Sequence, residues 1–181
     1  MATEASVAEI GFAAPAFSLP GTDGRPHTLK ELAGSRGTVL AFICNHCPYV
    51  KAALPRLVRD ARDLAAIGVH IIGVNSNDAT AYPEDNFQHM VELAKGLPFP
   101  YLHDQSQSVA RAYGAICTPD FFGFDADLKL RYRGRLDVAR MDAPPAGAPR
   151  ELYEAMKMIA GTGHGPKVQH ASIGCSIKWL D

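Results

Sequence analysis

Residues 42–57 read Phe-Ile-Cys-Asn-His-Cys-Pro-Tyr-Val-Lys-Ala-Ala-Leu-Pro-Arg-Leu. Just before and into this stretch, residues 38–43 form an apolar run without alternation, the pattern of a short strand buried on both faces. After it, Val50, Leu54, Leu57, Val58, Ala61, Leu64 and Ala65 recur at helical spacing up to a stop signal at Gly68. Pro48 suits a first helical turn, where its missing N–H is not needed. Pro55 falls inside the helix and is expected to remove one hydrogen bond and bend the axis. Cys44 and Cys47 therefore stand where a buried strand hands over to a helix.

Outward from this junction the chain alternates. Residues 1–37 read as an irregular lead-in, with an extended piece at 17–19, turn residues at 21–24 and a helical turn over 28–32. A second buried strand is predicted at 69–74, a helix at 84–95 and a short helix at 106–113 ended by Gly114, with Asp104 or a serine as its N-cap. Two strand-like segments follow at 121–124 and 128–132, then a Pro/Ala-rich loop at 142–149 and a last helix at 150–160. The order predicts an α/β fold with a central mixed sheet flanked by helices. A right-handed crossover puts the cysteines at the carboxyl end of a central strand. The expected organisation is one domain over 1–160 and an irregular C-terminal extension, 161–181, packed upon it.

The 181 residues carry a net charge of −1, which argues against a nucleic-acid surface or a polybasic membrane patch. No basic-then-apolar leader and no 18-residue apolar span is visible, so a cytoplasmic location without membrane partners is expected. Four cysteines in such a chain point to redox, catalytic or metal chemistry rather than a disulfide scaffold.

A thiol at a helix N-terminus faces unpaired amides and the positive end of the helix dipole, which favours thiolate. Cys47 holds that position, open to solvent in this reading, and a charged His46 would add to the effect. A metal centre is the rival: Cys44, His46 and Cys47, with His164 or His170, are suitable ligands for Cu(I) or Zn(II). Residues 75–78 read as a solvated turn, and Arg131, Arg133 and Arg135 as a solvated strand face.

Cys47 follows Phe42 by five residues and precedes Pro55 by eight, a spacing that resembles the thioredoxin family, with Val50 in place of the second family cysteine. Ile116-Cys117-Thr118-Pro119 resembles the family's cis-proline loop, whose free backbone pairs with extended substrates. Ala14-Pro15-Ala16-Phe17-Ser18-Leu19 is similar to the opening of redoxin domains. With Cys-Asn-His-Cys-Pro at 44–48 and Gly-Cys-Ser-Ile-Lys-Trp at 174–179, the chain most resembles the peroxiredoxin-like, AhpC/TSA-related redoxins.

The resemblance implies a thioredoxin-like fold and an antioxidant thiol–disulfide oxidoreductase. Cys47 would attack and Cys44 would resolve, with Pro119, Thr118, Pro48 and His46 in support and Cys117 a further candidate redox thiol. Cys175, in a tail without a thioredoxin counterpart, reads as a resolving thiol that folds back, as a partner for Cys117, or as a packed anchor with Trp179 beside it. The implied partners are a protein or small-molecule disulfide, or a peroxide, and an external thiol reductant such as a thioredoxin system; no cofactor is implied. Leu40 and Cys44 stand where typical peroxiredoxins carry Pro and Thr, which favours disulfide exchange over peroxide reduction. Alternatives are a weak thiol peroxidase, a Sco-like copper-binding protein and an inert binding module.

Overall fold

The computed structural model describes residues 2–5 and 9–180. In chain order it contains β1 (Ala2–Glu4), β2 (Ser18–Pro20), β3 (Pro26–Thr28), α1 (Leu29–Leu32), β4 (Gly37–Phe42), α2 (Pro48–Ala65) and β5 (Val69–Asn75). There follow α3 (Phe87–Ala94), β6 (Tyr101–His103), α4 (Ser108–Tyr113), β7 (Cys117–Thr118) and β8 (Asp120–Phe124). Last come β9 (Leu130–Gly134), α5 (Glu151–Thr162) and β10 (Ile173–Ser176).

The central sheet has the order β6-β5-β4-β8-β9. β4 pairs in parallel with β5 and antiparallel with β8, so the sheet is mixed. All six β4 residues are buried, which explains why the sequence shows no alternation there. The pleat sends Val39 and Ala41 into one core with Leu57, Leu64, Leu152 and Met156 of α2 and α5. Leu40 and Phe42 enter the opposite core with Tyr113, Phe122 and Phe124. The β4–α2–β5 crossover thus fixes the carboxyl end of β4, and the cysteine turn with it, at the middle of the sheet. α2 begins at Pro48 and runs on through Pro55 to Ala65; the turn after it closes at Gly68, whose φ of +81° is the left-handed conformation glycine permits.

Several elements differ from expectation. The helix expected over 84–95 is divided at Asn86, which ends a 3₁₀ turn (Pro83–Asp85) and caps α3 by accepting from the His89 amide at 2.9 Å. α4 starts two residues late because Gln107 is left-handed, at φ +62°. Asp104 still caps the helix from upstream, accepting from the Val109 and Ala110 amides.

The tail is not irregular throughout. Ile173–Ser176 is strand β10, held between β1 and β7 in a small antiparallel sheet, with Cys175 opposite Thr118 on one side and Ala2 on the other. Four residues cannot show a convincing period, so the strand was invisible in the sequence. The arginines do not form a solvated face either. Arg133 is buried, paired with Asp120 at 3.0 Å and stacked over Phe122, while Arg131 and Arg135 pair with Asp125 and Glu151.

Candidate active site

Cys47 is the N-cap of α2, with Pro48 in the first turn, and Cys44 lies three residues back, two past the end of β4. The Thr118–Pro119 bond beside them is cis. Cys47 Sγ lies 3.3 Å from the Thr118 carbonyl oxygen, and Cys44 Sγ lies 3.3 Å from the Thr118 hydroxyl. The tail brings in a third sulfur, Cys175 Sγ, 2.8 Å from Cys47 Sγ. Cys44 and Cys47 are 0% exposed, whereas Cys175 is half-buried. The attacking sulfur expected at the surface is therefore covered, and what covers it is another thiol.

The three thiols are not electrostatically equivalent. Cys47 is held well below the ordinary thiol range, first by a hydrogen bond from the Cys44 thiol, against the opposing effect of burial. The Cys175 thiol and the Val50 and Cys175 backbone amides lower it further, as an N-cap position predicts. Cys44 is pushed far up, by its donation to Cys47, then by burial and by the nearby Asp85 carboxylate. Cys175 is pushed up by burial and by the hydrogen bond to Cys47, with Lys178 acting in the opposite direction. The three thiols are thus pushed in opposite directions, Cys47 toward thiolate and Cys44 and Cys175 toward the protonated form.

The turn that carries these sulfurs hangs on Asp85, a fully buried carboxylate. Asp85 Oδ1 accepts from the Asn45 amide at 2.6 Å and the His46 amide at 3.3 Å, and Oδ2 meets the His46 Nδ1 atom and accepts from Asn77 Nδ2 at 2.7 Å. Tyr101 donates to Asn45 Oδ1 at 2.9 Å. His46 is thereby turned toward Asp85 and stacked on Tyr82, with ring centroids 5.4 Å apart, rather than toward the sulfur. It acts in the site by shaping the turn.

The tail is tied to the same network. Asn77 Oδ1 accepts from the Lys178 amide at 2.9 Å, Gln107 Nε2 donates to the Lys178 carbonyl at 2.8 Å, and Gln107 Oε1 accepts from the Leu180 amide at 2.8 Å. Trp179, half-buried, packs against the core on the face opposite the cysteines, under the Arg111 guanidinium at 4.4 Å, instead of beside Cys175. Residues 75–77 are thus buried and structural, not a solvated turn. Their polarity disguised them. Asp85 was hidden inside a helix whose true start, the Asn86 cap, was the available signal.

Cys117 is buried, with its thiol pushed up by burial and by Asp120. It lies opposite Ser176, while Cys175 lies opposite Thr118, so alternation along the strands sends Cys117 and Cys175 to opposite faces. The histidines proposed as tail metal ligands do not join the cysteines. His164 lines a cavity with Arg131, Arg133 and Lys167, and no sulfur reaches it. Among the described residues, Cys44, His46 and Asp85 do place donor atoms within 4.8 Å of one another. That set suits a metal poorly, because Asp85 is already engaged by four donors. Beside the cluster, Tyr49, Pro119 and Ile173 line a shallow groove. Among the described residues no helix is long and apolar enough to cross a membrane.

A β4–α2 junction carrying a capping cysteine, set against a cis-proline loop, defines a thioredoxin-like redoxin. The AhpC/TSA family model matches residues 10–133, and the chain belongs to that family. It is similar to a crystal structure of an uncharacterized conserved protein from Geobacillus kaustophilus, 44% identical, with a TM-score of 0.92 over 99% of this chain and 97% of that one. A Coxiella burnetii protein named "Putative peroxiredoxin bcp" is 29% identical over 122 residues, 64% of this chain and 72% of that protein. The thioredoxin domain of a thiol-disulfide oxidoreductase from Bacteroides vulgatus matches in fold, with a TM-score of 0.64 at 18% identity over 86% of this chain and 99% of that one.

Proposed function

We propose that this redoxin is a thiol–disulfide oxidoreductase in which the Cys47 thiolate attacks an oxidised substrate and a neighbouring thiol closes an internal disulfide. The observation that carries the reading is Cys47 at the head of α2 beside the Thr118–Pro119 loop, with Cys175 Sγ 2.8 Å from its sulfur and surroundings that lower its pKa. Nucleophilicity in exchange requires thiolate, and Cys47 supplies it without a metal or organic cofactor. Cys44 serves as hydrogen-bond donor to it and is one candidate for the resolving role; Thr118, Pro119, Pro48 and His46 fix the geometry. The substrate is a disulfide, and an external dithiol such as a thioredoxin system restores the reduced state. A cytoplasmic setting suits such a cycle, because thiol reductants are abundant there. The peroxiredoxin name of the Coxiella relative supports a second, antioxidant use, in which a peroxide oxidises the same thiolate to a sulfenic acid.

Disulfide reduction coupled to a thioredoxin system, measured alongside hydrogen peroxide consumption, tests the reading. The expected result is turnover of the disulfide that is lost at least about 1,000-fold in Cys47→Ser, since one sulfur performs the first step. Equal turnover by that variant would overturn it.

A further inference from the structure

Thioredoxin-like sites receive a substrate as an extended segment that pairs with the backbone ahead of the cis-proline and presents a sulfur to the attacking cysteine. Here that edge is taken. β10 pairs with β7 so that Cys175 is opposite Thr118, and its sulfur touches Cys47 Sγ at 2.8 Å. The fit is built in at Gly174: a Cβ there would collide with the Thr118 carbonyl, so only glycine lets the strand lie this close. The polar ties from Asn77 and Gln107 to Lys178 and Leu180 then hold the strand from its C-terminal side.

We propose that β10 occupies the substrate's place as an internal mimic and that Cys175, not Cys44, is the resolving thiol. This rests on the reading of Cys47 as nucleophile and deepens it. The strand lifts to admit a disulfide, RS–SR. Cys47 thiolate attacks one sulfur, forming Cys47–SR while the substrate S–S bond breaks and one RS⁻ departs, taking a proton from water. The strand returns, and Cys175 sulfur attacks Cys47 Sγ, forming Cys47–Cys175 and expelling the second RS⁻, which takes the Cys175 proton. Two protein thiols have lost two electrons, and the substrate has become two RSH. Cys44 lacks this role because its sulfur, fixed in the core just past β4, is turned to the Thr118 hydroxyl at 3.3 Å, whereas Cys175 Sγ lies directly against Cys47 Sγ at 2.8 Å; Cys44 positions the reacting sulfur.

The test is reaction of reduced full-length protein with one equivalent of oxidised glutathione, followed by counting released glutathione and mapping disulfides by mass spectrometry. Wild type is expected to release two glutathiones and end as Cys47–Cys175. Cys175→Ser is expected to release one and stop as the Cys47–glutathione mixed disulfide. Cys44→Ala, lacking the thiol donor, reacts more slowly yet still ends as Cys47–Cys175. Gly174→Ala keeps every sulfur but unseats the strand, and should prolong the mixed disulfide at least tenfold; in the same variant reduction of insulin disulfides should accelerate, because the edge is freed. A Cys44–Cys47 product in wild type, or two glutathiones released by Cys175→Ser, overturns the assignment of the resolving thiol. Unchanged kinetics in Gly174→Ala overturns the substrate-mimic role. No reaction at Cys47 in any variant overturns the underlying functional reading, an outcome separable from the others by the absence of any mixed disulfide.

Discussion

Two regions of very different construction meet at Cys47. The turn at residues 44–47 belongs to the core of the fold, set by a fully buried strand and an 18-residue helix and held by a buried carboxylate. The tail at 172–180 reaches the same sulfur from the far end of the sequence, through a four-residue strand in a three-stranded sheet and a handful of polar ties. A sulfur on each side touches or donates to the same thiolate. The difference between them is in how they are held: one partner is fixed by the core, and the other rests on contacts that are individually worth about 1 kcal/mol. The proposed cycle needs both properties, a rigid nucleophile and a partner able to leave.

The comparison breaks first if the turn is not rigid. Asp85→Ala leaves the Asn45 and His46 amides and Asn77 without their acceptor in a buried site. The expected loss is about 3–5 kcal/mol, read as a lower denaturant midpoint with an unchanged slope. A loss under about 1 kcal/mol would mean that the turn is held by something else.

A second test sharpens the electrical contrast between the two sides. Cys47 is held below the ordinary thiol value of 9.0, with Cys44 the largest cause. Iodoacetamide labelling across pH should therefore show Cys47 reacting in more acidic solution than Cys175, and Cys44→Ala should move its midpoint upward. Stability carries the same signature. A depressed thiol pKa stabilises the reduced fold fully above the unfolded value and progressively less as pH falls below it. The stability gap between reduced wild type and Cys47→Ser is thus expected to be widest near pH 9 and to shrink toward pH 5, measured by urea titration.

The smallest effect is expected at the tail. Asn77→Ala removes the acceptor for the Lys178 amide as well as one donor to Asp85 and should cost about 1–2 kcal/mol globally. Its clearer readout is local: amide exchange at residues 173–180 should accelerate far more than in β4. Equal acceleration in both would erase the distinction between core and tail.

The sequence reveals the core half of this comparison well and the tail half hardly at all. β4, α2, β5 and the loop ending at Pro119 announce themselves by apolar runs, helical spacing and proline positions, all of which are local signals. The α3 boundary was displaced because helical periodicity ran through Asn86, whose side chain prefers to cap. Asp85, Asn77, Gln107 and Tyr101 act through contacts with partners remote in sequence, such as Asp85 with Asn45 and Gln107 with Lys178. No window of sequence contains both ends of such a bond. Arg133 misled for a related reason: alternating arginines look solvated, yet this one is neutralised by Asp120, which only the β8–β9 pairing brings near. Cys175 was recognisable as a thiol in a distinctive motif, but its nearness to Cys47 depends entirely on tertiary pairing.

The small sheet has a practical corollary. β1 forms its outer strand, with Ala2 directly across from Cys175, so the two ends of the described chain are stitched together next to the reactive sulfur. Anything fused ahead of Ala2 or beyond Leu180, an affinity tag included, would hang near Cys175 and the strand that carries it. Rates measured on tagged and untagged protein are expected to diverge for that reason, and removing the tag should precede any kinetic comparison.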